Sequence, residues 1–193
     1  MVGNVDHVPR NPDHTREQLF TAAVEEFSEH GFAGARIDRI CQRAGVNKER
    51  LYANFGTKRS LFESVLAAKL AEALDQARVR GTGAGAAAAF AGDYFDACCR
   101  APEVPRLVAW EALELKDPVV LGERRERAMH KISELQVALP EMSPQQVEDL
   151  FLTVVGLCHT WFTHGNLARI IAGDDTEHDR RRAVIASLTA AMC

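Results

Sequence analysis

The sequence predicts an all-α fold, and three observations carry that prediction. Apolar residues make up 47% of the 193, with alanine prominent among them. β-branched runs are few, and no stretch alternates polar with apolar between turn signals as a half-buried strand does. Apolar side chains instead recur at helical spacing from Leu19 to Leu188. The length allows a real core, in one domain or two small ones. The N-terminus, MVGNVDHVPRNPDHT, has no apolar run of the signal-peptide kind, and no segment approaches the ~18 uninterrupted apolar residues of a membrane span. The expectation is a chain without either. Five cysteines, an odd number without CxxC or zinc-ligand spacing, suit reduced thiols in a cytoplasm.

Residues 1 to 12, with Pro9, Arg10 and Pro12, read as a disordered arm. The first helix is expected to start between Asp13 and Thr15, where Thr15 and Gln18 have capping-box spacing. Leu19, Ala22, Ala23 and Phe27 form its apolar stripe, and His30-Gly31 ends it.

The segment from Arg36 to Phe62 organises the rest. Ile37, Ile40, Cys41 and Ala44 share one helical face, and Ala-Gly-Val then breaks the pattern. Gly45 sits where a chain needs the left-handed region, Val46 is a small apolar plug, and Asn47 is a good N-cap. The helix that follows, Lys48 to about Asn54, is too short to stand alone. Two short helices around a Gly turn have the anatomy of a helix-turn-helix, whose second helix enters the DNA major groove. With Leu51 set inward, Asn47, Asn54 and Phe55 fall on its side, and Glu49, Arg50, Tyr52 and Ala53 face out. Arg50 is the candidate base reader, because its fork matches guanine O6 and N7. Lys48 and Tyr52 flank the groove as phosphate contacts, while Glu49 either accepts from cytosine N4 or holds a neighbour. Gly56 and Thr57 open the next helix, with Lys58 and Arg59 in a first turn that favours phosphate.

Charge agrees with that reading. The chain carries 23 Lys+Arg against 27 Asp+Glu. From Arg36 to Ser60 there are seven basic residues and two acidic ones, a local +5 that leaves 16 against 25, or −9, elsewhere. A basic island on an acidic body is the footprint of a confined polyanion site.

Downstream, Gly81–Gly85 reads as a loop. It lacks the preceding strand and Gly-Lys-Ser/Thr ending of a phosphate loop. Helices are expected over about 86–100 and 104–115, from Asp117-Pro118 to Leu139, from Ser143-Pro144 to about His164, and from a Thr176 cap to about Met192. The helix after Ser143 is apolar on much of its circumference and belongs in a core or an interface. In the last helix Val184, Ile185 and Leu188 are expected inward. The charged GERRER face, 122–127, reads as solvent.

Residues 15–62 resemble the N-terminal domain of the tetracycline-repressor (TetR) family of transcriptional regulators. The resemblance rests on the Ala-Ala and Phe of the first helix, His-Gly-Phe, the Ile-x₃-Ala-Gly-Val core, Leu-Tyr-x-x-Phe, and Lys58 to Leu61. Family members often have Ala at Cys41, small residues at Glu49 and Arg50, and an aromatic or His pair at Ala53 and Asn54. The resemblance implies a DNA-binding domain over 13–60 and an effector-binding and dimerisation domain over 61–193, with about nine helices in all. It implies a homodimer formed through the last two helices, with recognition helices about one DNA turn apart, roughly 34–36 Å, on a palindromic double-stranded operator. DNA contacts are then expected from Arg36, Asn47, Lys48, Glu49, Arg50, Tyr52, Ala53, Asn54 and Lys58. By family habit the protein is a repressor, cytoplasmic and on the nucleoid, released by a partly apolar small-molecule effector. The implied pocket draws on Tyr94, Cys98, Trp110, Glu111, His130, Cys158, His159 and Phe162.

Other classes find little support. There is no nucleophile–base pair, metal set or cofactor loop, so no catalytic residue, metal or cofactor is assigned. His159 and His164 are five apart, off the shared face that a metal pair needs. A redox trigger at Cys98, Cys99 or Cys158 remains as the alternative, although adjacent side chains on a helix diverge by ~100°.

Overall fold

The computed structural model describes residues 12–173 and 178–193, and among these there are ten helices and no strand. The expected arm before Pro12 and the Thr176 cap lie outside the described residues. Contacts divide the chain into two compact units, 1–65 and 66–193.

In the first unit, α1 (Pro12–Gly34) buries Leu19, Ala22, Ala23 and Phe27. Pro12 takes the first turn, where a missing N–H costs nothing, so Thr15 is buried inside the helix and does not cap it. Gly31 kinks the element with φ 70° at the position expected to end it. The stripe of α1 packs against α2 (Ile37–Ala44) and α3 (Lys48–Phe55), where Ile40 and Leu51 are fully buried. Phe27 meets Phe62 edge-on, ring centroids 5.1 Å apart. A residue absent from the sequence reading ties these helices together. Buried Glu26 accepts from the Arg36 amide at 2.8 Å and from Arg39 Nε at 2.6 Å. Arg39 also donates to Gly34 O at 3.0 Å, so its guanidinium serves the packing of these helices.

α4 (Lys58–Gln76) starts where Thr57 Oγ1 accepts the Ser60 amide at 3.0 Å. The second unit continues with α5 (Gly83–Arg100), α6 (Glu103–Glu114), α7 (Leu121–Ala138), α8 (Pro144–Thr163), α9 (Gly165–Ala172) and α10 (His178–Ala190). Its core joins Phe90, Tyr94 and Phe95 of α5 to Leu135, Leu150, Val154, Cys158 and Ile185. The Ser143–Gln146 capping box opens α8, with Pro144 at the first position. α10 lies along α5, where Gly92 leaves room for Arg182 to reach Asp96 at 2.9 Å. A methyl group on Gly92 would stand 2.8 Å from the guanidinium carbon.

Other expectations are corrected as well. The Gly-rich loop is shorter than expected, because Gly83–Gly85 already belong to α5. Asp117-Pro118 does not start a helix; Val119 and Val120 turn first, Val120 with φ 51°, strained for a β-branched residue. α9 is an additional helix. Finally, Val184 and Leu188 are about half exposed in the single chain, and α8 leaves Leu152 exposed, so neither helix buries its whole apolar surface internally.

Candidate functional site

The turn between α2 and α3 follows from its residues. Gly45 adopts φ 63°, ψ 33°, so the Gly45 amide bonds Gln42 O and the Val46 amide bonds Cys41 O, closing the end of α2. Asn47 then caps α3, its Oδ1 accepting the Arg50 amide at 3.0 Å. This fixes which way an eight-residue helix points. Leu51 and Phe55 are buried while Glu49, Arg50, Tyr52 and Ala53 are exposed, as the helical projection predicts, and Lys48 is exposed as well.

The candidate contacts differ in what else they hold. Asn47 is exposed at the cap and does not share the side of Leu51. The Asn54 side chain donates to Arg50 O at 2.7 Å, and its backbone carbonyl takes Arg16 Nη1 at 2.8 Å, with Arg16 over the Phe55 ring. Lys48 is paired with Asp38, a hydrogen bond that raises its pKa. Lys58 reaches Ala33 O at 3.3 Å and lies over Phe32, 5.0 Å from the ring centre. Arg43 pairs with Glu25 and Glu29, and Arg59 with Glu63. Among the described residues, Arg36 and Arg50 are the exposed arginines of this segment whose guanidinium groups hold no partner.

The second unit contains a cavity of about 270 Å³ between α4, α5, α7 and α8. Its walls are largely apolar, and Tyr94 and His159 supply the buried polar groups. Tyr94 Oη and His159 Nε2 are 2.9 Å apart with their rings stacked. Burial pushes the Tyr94 phenol well up and the His159 imidazole down to about 4, so both are neutral at pH 7. Arg124 stands at the cavity edge with its charge already matched. Buried Glu111 accepts from Arg124 Nη1 and from the Val119 amide at 2.8 Å, and Arg124 also donates to Val119 O at 3.0 Å.

Residues 19–65 match the family described as "Bacterial regulatory proteins, tetR family", and residues 87–190 match "Tetracyclin repressor-like, C-terminal domain". The chain belongs to the TetR family. It is similar to the HTH-type transcriptional repressor SCO4008 of Streptomyces coelicolor, 38% identical over 110 residues, or 54% of this chain and 53% of that one. The repressor NicS of Pseudomonas putida is 46% identical over 54 residues, 28% of this chain and 26% of its own. The matches thus span about half or less of these relatives' length. Among solved structures, the transcriptional regulator SCO4942 from Streptomyces coelicolor superposes with a TM-score of 0.75 at 28% identity, over 92% of this chain and 97% of that one.

Against the TetR pattern, the expected pocket residues scatter. Tyr94 and His159 line the cavity. Cys98 and Cys158 are buried in the core, and Phe162 packs on Phe95. Glu111 acts through Arg124, and Trp110 lies outside the cavity lining. His130 is exposed beside Glu134, because α7 turns that position away from the core. Arg124 was missed: within GERRER it reads as solvent-facing, and only its buried partner, thirteen residues earlier, reveals otherwise. Burial raises the thiols of Cys98, to about 12, and of Cys99 and Cys158, and all five cysteines are free. Protonated, buried thiols are poor nucleophiles, which disfavours a redox trigger. No helix among the described residues is long and apolar enough to cross a membrane.

Proposed function

We propose that the protein is a transcriptional repressor that binds a palindromic operator as a homodimer and is released by a small molecule entering the α4–α5–α7–α8 cavity. The presentation of α3 supports this reading most: the helix is capped by Asn47, anchored by Leu51 and Phe55, and offers an unpartnered Arg50 outward. Arg50 reads base edges. Arg36 and Tyr52 contact phosphate, with Lys48 and Lys58 adding charge nearby while held by Asp38 and Phe32. Release follows if the effector binds more tightly to a conformer that fits DNA poorly.

The test selects operators for the full chain from a randomised DNA library, then measures binding by anisotropy at several salt concentrations. Arg50→Ala should cost about 1–3 kcal/mol at the preferred site and relax the selected sequence. Arg36→Ala should weaken all sequences alike and flatten the salt dependence. An Arg50→Ala protein that selects the same operator with undiminished preference removes the base-reading assignment.

A further inference from the structure

We propose that the cavity takes a compact, uncharged, largely apolar molecule whose single hydrogen-bonding group meets the Tyr94–His159 pair, an inference that rests on the effector reading above. Size sets the first limit. A volume of about 270 Å³ is at the small end of ligand sites, with room for on the order of a dozen non-hydrogen atoms at interior packing density. The walls set the second. Leu70, Leu74, Val108, Phe151 and Val155 can offer only dispersion and desolvation. His159, Tyr94, Phe90 and Phe151 form a column of near-parallel rings, successive centroids 5.8, 6.3 and 6.0 Å apart, three of which line the cavity.

The polar pair sets the third limit. If Tyr94 donates to His159 Nε2, the phenol oxygen can still accept from a ligand O–H or N–H. If the other imidazole tautomer donates to Tyr94, the phenol proton is free for a ligand oxygen. One hydroxyl therefore fits either arrangement, because it both donates and accepts, and an N–H fits the first. A carboxylate beside that pair does not fit, because the partly buried cation of the lining, Arg124, is held by Glu111, while Arg125 and Arg127 line the cavity from solvent-exposed positions where water competes for them. An anion held at the Tyr94–His159 pair would lose its hydration and meet two neutral groups in exchange.

The test measures binding of 2-naphthol, naphthalene and 2-naphthoate to the full chain by calorimetry. It compares wild type, Tyr94→Phe/His159→Leu, which removes both polar partners and leaves neither orphaned, and Ala71→Leu, which fills the cavity. Naphthalene should bind about three- to tenfold more weakly than 2-naphthol in wild type, one net hydrogen bond, and within about twofold of it in the double variant. 2-Naphthoate should bind at least about tenfold more weakly than 2-naphthol, and Ala71→Leu should weaken all binding. Equal or tighter binding of 2-naphthoate, a 2-naphthol advantage that survives the double variant, indifference to Ala71→Leu, or no binding of any probe overturns the proposal. Operator binding separates the two readings. The expected binding pattern with unchanged operator affinity refutes the effector role and leaves the ligand class standing; operator release by 2-naphthoate and not by 2-naphthol refutes the ligand class and leaves the effector role standing.

Discussion

At the scale of single residues, His159 shows how burial sets chemistry. An imidazole normally titrates near 6.5; in the core beside Tyr94 it is pushed down to about 4, since nothing there repays the lost hydration of the cation. The sign of the linkage follows. Above pH 6.5 the imidazole is neutral in both folded and unfolded chains and has no effect. Between 6.5 and about 4 the unfolded chain takes up the proton and the folded one does not, so stability falls as pH falls. The full loss, complete below about pH 4, is on the order of 3 kcal/mol. Urea midpoints of wild type should therefore drop between pH 7 and pH 5 more than those of His159→Gln, which keeps a partner for Tyr94 and does not titrate. Parallel pH profiles for the two proteins would show that His159 is already accessible to protons. Glu26 is the opposite case, a buried carboxylate whose Oε1 accepts from the Arg36 amide and from the Arg39 guanidinium, which ties Arg39 to the inside of the unit.

At the scale of elements, α3 is the informative one, because eight residues cannot sustain a helix unaided. Its orientation rests on Leu51 and Phe55 below and on Asn47 at its start. Asn47→Ala should cost about 1 kcal/mol and speed exchange of the Arg50 amide by roughly fivefold, while Asn47→Asp retains protection. Hydrogen exchange read by NMR decides this; an Arg50 amide equally protected in Asn47→Ala would mean that tertiary packing alone holds the helix. This region was legible in the sequence because its signals are local: Gly45, Asn47, Leu51 and Thr57 each act within a few residues. The cavity edge was not. Glu111, Val119 and Arg124 come together only when the turn over 115–120 brings the start of α7 to the end of α6, and the left-handed Val120 has no residue-level signature. α9 was hidden for a related reason, being two turns without a strong cap directly after the longer α8.

At the scale of the whole molecule, the apolar surface is unevenly covered. α8 exposes the stripe Leu152, Gly156, Thr160 at four-residue spacing, and Gly156 leaves open space where another helix can approach closely. α9 exposes Leu167, Ile170 and Ile171, and α10 exposes Val184 and Leu188, with Met192 just beyond it. So many large apolar side chains, exposed on three successive helices at the end of one chain, are costly in a monomer and ordinary in a dimer interface. The expectation of pairing through α8 and the last helix therefore gains a third contributor, α9, and Val184 and Leu188, expected inward, become candidates to face a second copy. Leu188→Glu and Ile170→Glu should leave helicity and monomer folding intact, since both side chains are already exposed, 49% and 81%. In a dimer, each would place a carboxylate in an apolar contact at a cost of several kcal/mol per interface, about a hundredfold or more in dimer dissociation. Light scattering after size exclusion reads the mass directly, and operator binding should fall with it, because a palindrome rewards two half-sites at once. If both variants remain dimeric at micromolar concentration with unchanged operator affinity, the subunits meet elsewhere and this apolar surface needs another explanation.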